Sequence, residues 1–250
     1  MYPSFEIFNI VFQTFPLILF TAFLFCFFVI FCEKRVSVEE KVNILYSLSF
    51  MAIFSVIGGK LFSIISLPKI NGENILDLIM RSGSVFYGGL IGGFLGLFFY
   101  CKRKNLNYYR YSDLITYVLP LGQSIGRLGC FCNGCCYGKE YDGLFSIKYQ
   151  IEGQIVSIFP TWFFESAFCL ILFIFQIFLF SKNKIGICSS SYFILYAIFR
   201  FIIEYFRGDK IRGHLGLLST SQIISIFVLL YGLFIIIKIF KMGEKDHGNL

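Results

Sequence analysis

Lys60, Arg127, Glu165, Arg200 and Glu204 lie inside stretches that are otherwise apolar, and Asp113 stands at the edge of another. An ionised group there costs about 2.5–3.5 kcal/mol even on the lenient insertion scale, so it has a partner or a task. Arg200 and Glu204 are four residues apart and share one helical face. A salt bridge holding two helices together accounts for that pair as well as a functional task does. Arg207 continues the face outward, where snorkelling of a long side chain explains it. Arg127 sits within Gly122-Gln123-Ser124-Ile125-Gly126-Arg127-Leu128-Gly129. Glycine turns near a helix end expose N–H donors, and beside a planar, permanently charged fork they are the parts of a phosphate site. The Gly122/Gly126 spacing fits close helix packing equally well. Tyr87-Gly88-Gly89-Leu90-Ile91-Gly92-Gly93 poses the same choice, with packing the better account of Gly92 and Gly93. The Tyr87 hydroxyl either anchors at the membrane interface or is directed at a headgroup.

Cys130, Cys132, Cys135 and Cys136 read C-x-C-x-x-C-C. Four thiolates can bind zinc or an iron–sulfur cluster, but structural zinc sites usually draw ligands from two separated knuckles. No histidine lies close in sequence, and a disulfide on an outer loop explains the group at least as well. No metal is expected. Cys26, Cys32, Cys101, Cys169 and Cys188 are scattered in or beside apolar runs and read as small hydrophobes.

The elements that position these residues must be membrane helices. Apolar residues make up 57% of the chain and charged ones 15%, well below the quarter or so of a soluble domain. Runs such as Leu17 to Phe31 carry no charge, and about 20 such residues span a hydrocarbon core. Spans are expected at about 10–31, 42–67, 84–100, 113–128, 160–180, 190–206 and 220–241, the fourth interrupted by Pro120, Gly122 and Gly126. The first is not a cleaved signal, because its basic flank (Lys34, Arg35, Lys41) follows it rather than precedes it. Basic clusters recur at Lys102, Arg103, Lys104 and Arg110, at Lys182 and Lys184, and at Lys238, Lys241 and Lys245. Placed inside, they give an outer N-terminus, a cytoplasmic C-terminus and an odd number of helices. This distribution also makes a nucleic-acid partner unnecessary as an explanation of the positive charge. The segment 129–159 then lies outside, and its alternation over Leu144–Ile151 and Gln154–Ile158 predicts a small β-hairpin turning at Glu152-Gly153. The fold class is therefore an all-α integral membrane protein: one domain over 1–250, with about seven transmembrane helices and a small extracytoplasmic loop region.

Five blocks, in order and across nearly the whole chain, resemble the bacterial prolipoprotein diacylglyceryl transferases. The family's G-R-x-G-N-F-x-N-G-E core is similar to Gly126-Arg127-Leu128-Gly129-Cys130-Phe131-Cys132-Asn133-Gly134-Cys135, with Gly138 following and Ser112-Asp113 and Pro120 preceding. Its H-G-G-L-I-G box is similar to Tyr87–Gly92, and its H-P-T-Q-L-Y-E segment to Phe159–Glu165. The R-F-x-x-E-x-x-R helix reappears as Arg200–Arg207, and L-S-x-x-Q as Leu218–Gln222. The resemblance implies transfer of the diacylglyceryl group of phosphatidylglycerol to the lipobox cysteine thiol of a preprolipoprotein, in the bacterial cell membrane, with no cofactor. It places Arg200, Glu204 and Tyr87 in the catalytic group. Arg127, Asn133, Gly134, Gly138, Gly126, Gly129, Arg207 and Glu165 are placed around the bound substrate.

The chain departs from the pattern where the family carries polar groups. Cys130 stands for Asn, Cys135 for Glu, Tyr87 and Phe159 for His, and no Tyr lies between Pro3 and Glu33, where the family has one in its first span. The retained residues are those suited to a phosphate; the replaced ones include much of the base and hydrogen-bonding set. Tyr87 or one of the cysteines then assists proton removal. Two alternatives stay open: the same fold and phospholipid site serving another acceptor, and a thiol-redox or metal-binding membrane protein built on Cys130–Cys136.

Overall fold

The computed structural model describes residues 4–7, 10–66, 86–151, 154–208, 214–215 and 218–247. Among these are seven α-helices: α1 (Thr14–Cys32), α2 (Val38–Ser66), α3 (Phe86–Lys104), α4 (Tyr108–Cys132), α5 (Thr161–Phe180), α6 (Ile187–Ile203) and α7 (Thr220–His247). Five of them are long and apolar enough to cross a membrane: α1, α2 over Val38–Leu61, α5, α6 with the turn that follows it to Phe206, and α7 over Thr220–Lys241. α3 is diluted by glycines and ends in Lys102, Arg103 and Lys104, while α4 carries Arg110, Asp113 and Arg127. The surface is inverted relative to a soluble protein. Phe20, Phe28, Phe163, Ile171, Phe227 and Phe240 are exposed, whereas Thr116, Thr161, Gln176, Ser189 and Ser190 are buried. That is the arrangement expected when lipid is the solvent.

The chain forms two compact units, one from residues 33–112 and one from 1–32 with 113–250. In the first, Ser37 and Glu40 form a reciprocal capping box at the start of α2, with Ser37 N–H donating to Glu40 Oε2 at 2.9 Å and Glu40 N–H to Ser37 Oγ at 3.2 Å. Arg110 at the start of α4 binds Glu40 Oε1 at 2.8 Å. α2 and α3 approach so closely that a Cβ on Gly58 would strike the Gly88 carbonyl, and one on Gly92 the Phe54 carbonyl. Packing is therefore what Gly92 provides, as its spacing suggested.

In the second unit, residues 10–13 belong to strand β2 (Ile10–Gln13), not to the first helix as expected; β2 pairs antiparallel with β1 (Ser4–Ile7). The expected hairpin forms from β3 (Ile147–Ile151) and β4 (Gln154–Ile158), with Ile147 opposite Ile158 and Ile151 opposite Gln154. Its proposed turn at Glu152-Gly153 lies outside the described residues. A short third pair joins β5 (His214–Leu215) to β6 (Leu218–Ser219). α4 was expected to be short and interrupted, yet it is one helix of 25 residues with Pro120 inside. Asp113 caps α6 from α4, accepting the N–H groups of Gly186 and of Ser189 at 2.7 Å. α5 packs on α6 through Phe168 and Phe199, stacked 3.9 Å apart, and α7 presses Gly232 against Phe193 and Ile194 of α6.

Candidate functional site

A buried cluster of charge sits in the second unit, centred on Glu165 in the first turns of α5. Its carboxylate holds three arginines: Oε2 takes Arg127 Nε, and Oε1 takes Arg200 Nη1 at 3.0 Å and Arg207 Nη1 at 3.2 Å. Arg200 Nη2 binds Glu204 Oε2 at 2.8 Å, the expected i,i+4 pair, and also reaches Ser221 Oγ at 3.2 Å. Ser219 Oγ donates to Glu204 Oε1 at 3.0 Å. Glu165, Arg200 and Arg207 are all buried. Among the described residues, three guanidiniums and two carboxylates meet here in a low-dielectric setting, where each charge interaction is worth far more than in water.

Three local devices build the cluster. α5 begins directly after Pro160, which cannot continue a helix backward from its own position. α6 tightens into a 3-10 turn at Glu204–Phe206, after which Arg207 is extended at φ −81° and ψ 141°. Arg207 therefore does not continue the helical face or snorkel outward, as its spacing suggested; the change of backbone turns it back onto Glu165. Gly138 forms a bridge to Arg207, and Lys139 N–H donates to the Phe206 carbonyl at 2.9 Å. A Cβ at Gly138 would collide with the Phe159 carbonyl, so only glycine admits this approach.

The glycines around Arg127 do not form the exposed N–H turn that their sequence suggested. They lie within α4 and face α1: a Cβ on Gly122 would be 3.0 Å from Cys26 Sγ, one on Gly129 3.1 Å from Phe15, and one on Gly126 3.6 Å from Leu19. Close helix contact is the role observed. α4 ends at Cys132, and Gly134, with φ 72°, supplies the left-handed residue that terminates it, two residues before Cys136. Asn133 N–H still donates to the Gly129 carbonyl at 3.0 Å. Tyr87 is in the first turn of α3; its side chain lies outside the described residues.

The cysteine group adjoins the arginines. Arg127 Nη1 lies 4.0 Å from Cys130 Sγ, and the sulfurs of Cys130, Cys135 and Cys136 lie within 4.8 Å of one another, without Cys132. All nine cysteines are thiols. Trp162 Nε1 donates to the Cys135 carbonyl at 2.7 Å and Thr161 Oγ1 to the Cys136 carbonyl at 2.8 Å, so the loop is tied to the start of α5. Tyr149 of β3 packs on Trp162 and donates to the Phe131 carbonyl at 3.3 Å. Burial pushes its phenol up to about 12, which keeps it a neutral donor. Hydrogen bonds with the Cys130 and Cys135 thiols, followed by the Arg207 and Arg127 guanidiniums, draw the Cys136 thiol below its ordinary range against the upward push of burial.

Sequence spacing alone did not reveal Glu165 as a pivot for three arginines, since its partners come from α4, α6 and the segment after α6. Nor did it give Thr161 and Trp162 a task, although both stand inside the block that contains Glu165.

A family model described as prolipoprotein diacylglyceryl transferase matches residues 3–238. A phosphatidylglycerol–prolipoprotein diacylglyceryl transferase of Clostridium tetani is 37% identical over 196 residues, covering 74% of this chain and 78% of the relative. One of Clostridium perfringens, numbered 2 in that organism, is 36% identical over 213 residues, 82% of each chain. The transferase of Prochlorococcus marinus is 30% identical across 88% of each.

Proposed function

The chain belongs to the prolipoprotein diacylglyceryl transferase family, and from that premise we propose that it transfers the diacylglyceryl group of phosphatidylglycerol to the lipobox cysteine thiol of a preprolipoprotein. The observation that carries this reading is the Glu165 cluster: Arg127, half-buried, and the buried Arg200 and Arg207 gathered on one buried carboxylate among apolar helices. A lipid phosphate carries the complementary charge and can reach such a site from the bilayer. The family match runs through both compact units, which supports reading 1–250 as one transferase domain.

In this reading Arg127, Arg200 and Arg207 bind the phosphate, with Arg127 supplying a planar fork at the cluster's edge. As the acceptor sulfur bonds to the glycerol carbon, the bond from that carbon to the phosphate oxygen breaks, and glycerol phosphate leaves. Fixed guanidiniums stabilise the charge that grows on that oxygen. Glu204 orients Arg200, and Glu165 holds all three cations in register. Asn133, Gly134 and Gly138 shape the loop over the site, and Gly126 and Gly129 let α4 lie close enough to α1 to fix Arg127. Tyr87 is retained as a candidate for proton removal. Seven crossings, with the N-terminus outside and the C-terminus in the cytoplasm, put the site on the outer half of the membrane, where the basic clusters are absent.

The test is reconstitution of the full chain with phosphatidylglycerol and a peptide carrying a lipobox cysteine. Mass spectrometry should find a thioether-linked diacylglyceryl adduct, absent when Arg127 is alanine. A folded protein that binds phosphatidylglycerol and forms no adduct would refute this function and favour another acceptor.

A further inference from the structure

Three of the four cysteines that the sequence clusters converge in space. Cys130 is in the last turn of α4, Cys135 and Cys136 follow Gly134, and their three sulfurs lie within 4.8 Å of one another. Cys132, between them in sequence, is excluded. A tetrahedral ion with metal–sulfur bonds of about 2.3 Å needs sulfurs about 3.8 Å apart, so the set is within about 1 Å of a ligand triangle. Cys136 reaches it from a left-handed backbone, φ 62°, uncommon for a residue with a side chain. Strain of that kind persists where the surroundings enforce it. Here Thr161 and Trp162 hold the Cys136 and Cys135 carbonyls from α5, while Cys135 Sγ lies 3.7 Å from the Cys130 carbonyl. Arg127 Nη1, 4.0 Å from Cys130 Sγ, supplies the outer contact that orients a metal-bound sulfur.

A structural zinc site is closed by four protein ligands, whereas a catalytic one keeps three and leaves a position open. Among the described residues no histidine, carboxylate or further cysteine joins the three sulfurs. Cys130 is buried, whereas Cys135 and Cys136 are only half-buried. Arg127, which reaches Cys130 Sγ, also binds Glu165 at the centre of the charge cluster.

We infer that Cys130, Cys135 and Cys136 form a three-thiolate zinc site whose fourth position takes the acceptor thiol of the prolipoprotein. This rests on the transferase reading above. Zinc binding strips the acceptor thiol of its proton, which passes to water. The zinc-held thiolate keeps an electron pair, which forms the carbon–sulfur bond to the glycerol carbon bearing the phosphate. The carbon–oxygen bond breaks with its pair on oxygen, and the phosphate monoester departs over the arginines, taking up a proton from water as its own second pKa dictates. Nothing is oxidised or reduced. The metal thus supplies the deprotonation for which the sequence has lost its family residues, two of them at the thiol positions Cys130 and Cys135.

Cobalt substitution of the purified full chain, stripped with a chelator and kept reduced, tests this without relying on turnover. Co²⁺ should produce thiolate-to-cobalt charge-transfer absorption and the visible bands of a tetrahedral ion. Zn²⁺ should bleach both, and elemental analysis should find about one zinc per chain. Cys130→Ser and Cys135→Ser should lose the signal, and Cys132→Ser should keep it. A lipobox peptide with its cysteine should raise the charge-transfer intensity by about a third, as three thiolates become four, while a serine peptide leaves it unchanged. Metal-stripped protein should lose transfer and regain it with Zn²⁺. Absence of cobalt absorption in the folded wild-type chain, a spectrum blind to the cysteine peptide, or equal transfer rates with and without metal would overturn the zinc site; the last leaves the transferase reading intact. A peptide-responsive spectrum with no diacylglyceryl adduct would support the site and refute the transfer. An intramolecular disulfide among the three cysteines, resistant to metal loading, would assign them to redox chemistry instead.

Discussion

Glu165 faces three guanidiniums, so its removal is felt by residues from three separate segments. Breaking a buried ion pair by deleting one partner costs about 3–5 kcal/mol, because the remaining charge stays buried without compensation. Glu165→Ala should lower unfolding free energy in detergent by about that amount, measured by denaturant titration; a change below about 1 kcal/mol would mean the arginines find other partners. Arg127 separates charge from geometry. Its Nε is on Glu165 and its Nη1 points to Cys130, and a lysine cannot occupy both directions at once. Arg127→Lys should therefore lose about 10²–10³-fold in transfer rate, close to Arg127→Ala, because a fixed donor to a developing oxyanion is worth that much. Rates within a few-fold of wild type would show that only net charge matters there. Much of this site was legible as a set of charged residues stranded in apolar sequence. Its arrangement was not: periodicity pairs Arg200 with Glu204, but nothing in spacing says that the chain leaves the helix at Glu204 and turns Arg207 back to Glu165.

At the scale of elements, the glycine blocks separate by what a Cβ would meet. On α3, Gly92 abuts the Phe54 carbonyl, whereas Gly93 would place a Cβ 3.9 Å from Met51, ordinary contact. Gly92→Ala should force α2 and α3 apart and destabilise by about 1–3 kcal/mol, as overpacking does. Gly93→Ala should be neutral or stabilising, since alanine is favoured over glycine in a helix by up to about 1 kcal/mol. Equal thermal unfolding temperatures for the two variants would contradict the close approach. Adjacent positions with identical residues thus have opposite expected effects, which composition cannot reveal. The same limitation applies to α4. Pro120 and its glycines read as interruptions, but the helix runs on through them because Gly122, Gly126 and Gly129 serve contact with α1 rather than a turn. The β3–β4 hairpin was readable because its residues alternate: Ile147 and Tyr149 face inward while Lys148 is exposed. The β1–β2 pair was missed because Ile10–Gln13 merges into the apolar run of α1.

For the whole molecule, the orientation proposed from the basic clusters can be checked. The helix ends bearing Cys132, Thr161 and Glu204 carry the site, and the basic residues Lys182, Lys184 and Lys238 lie near the opposite ends of α5, α6 and α7. α3 and α4 are less apolar than the five candidate spans because glycines in the first, and Arg110, Asp113 and Arg127 with glycines in the second, dilute apolarity. Five helices thus qualify as spans by length and composition, and the proposal of an odd number of crossings rests on the alternation of basic loops. A green fluorescent protein fused after Leu250 should fluoresce, because it folds in the cytoplasm, and an epitope placed before Met1 should be cleaved by protease added to intact spheroplasts. Moving the positive charge should move the orientation with it: reversing Lys34, Arg35 and Lys41 to glutamate should reduce correctly oriented protein and transfer activity together. A dark C-terminal fusion with a protected N-terminal epitope would place the site on the cytoplasmic side and refute the proposed orientation.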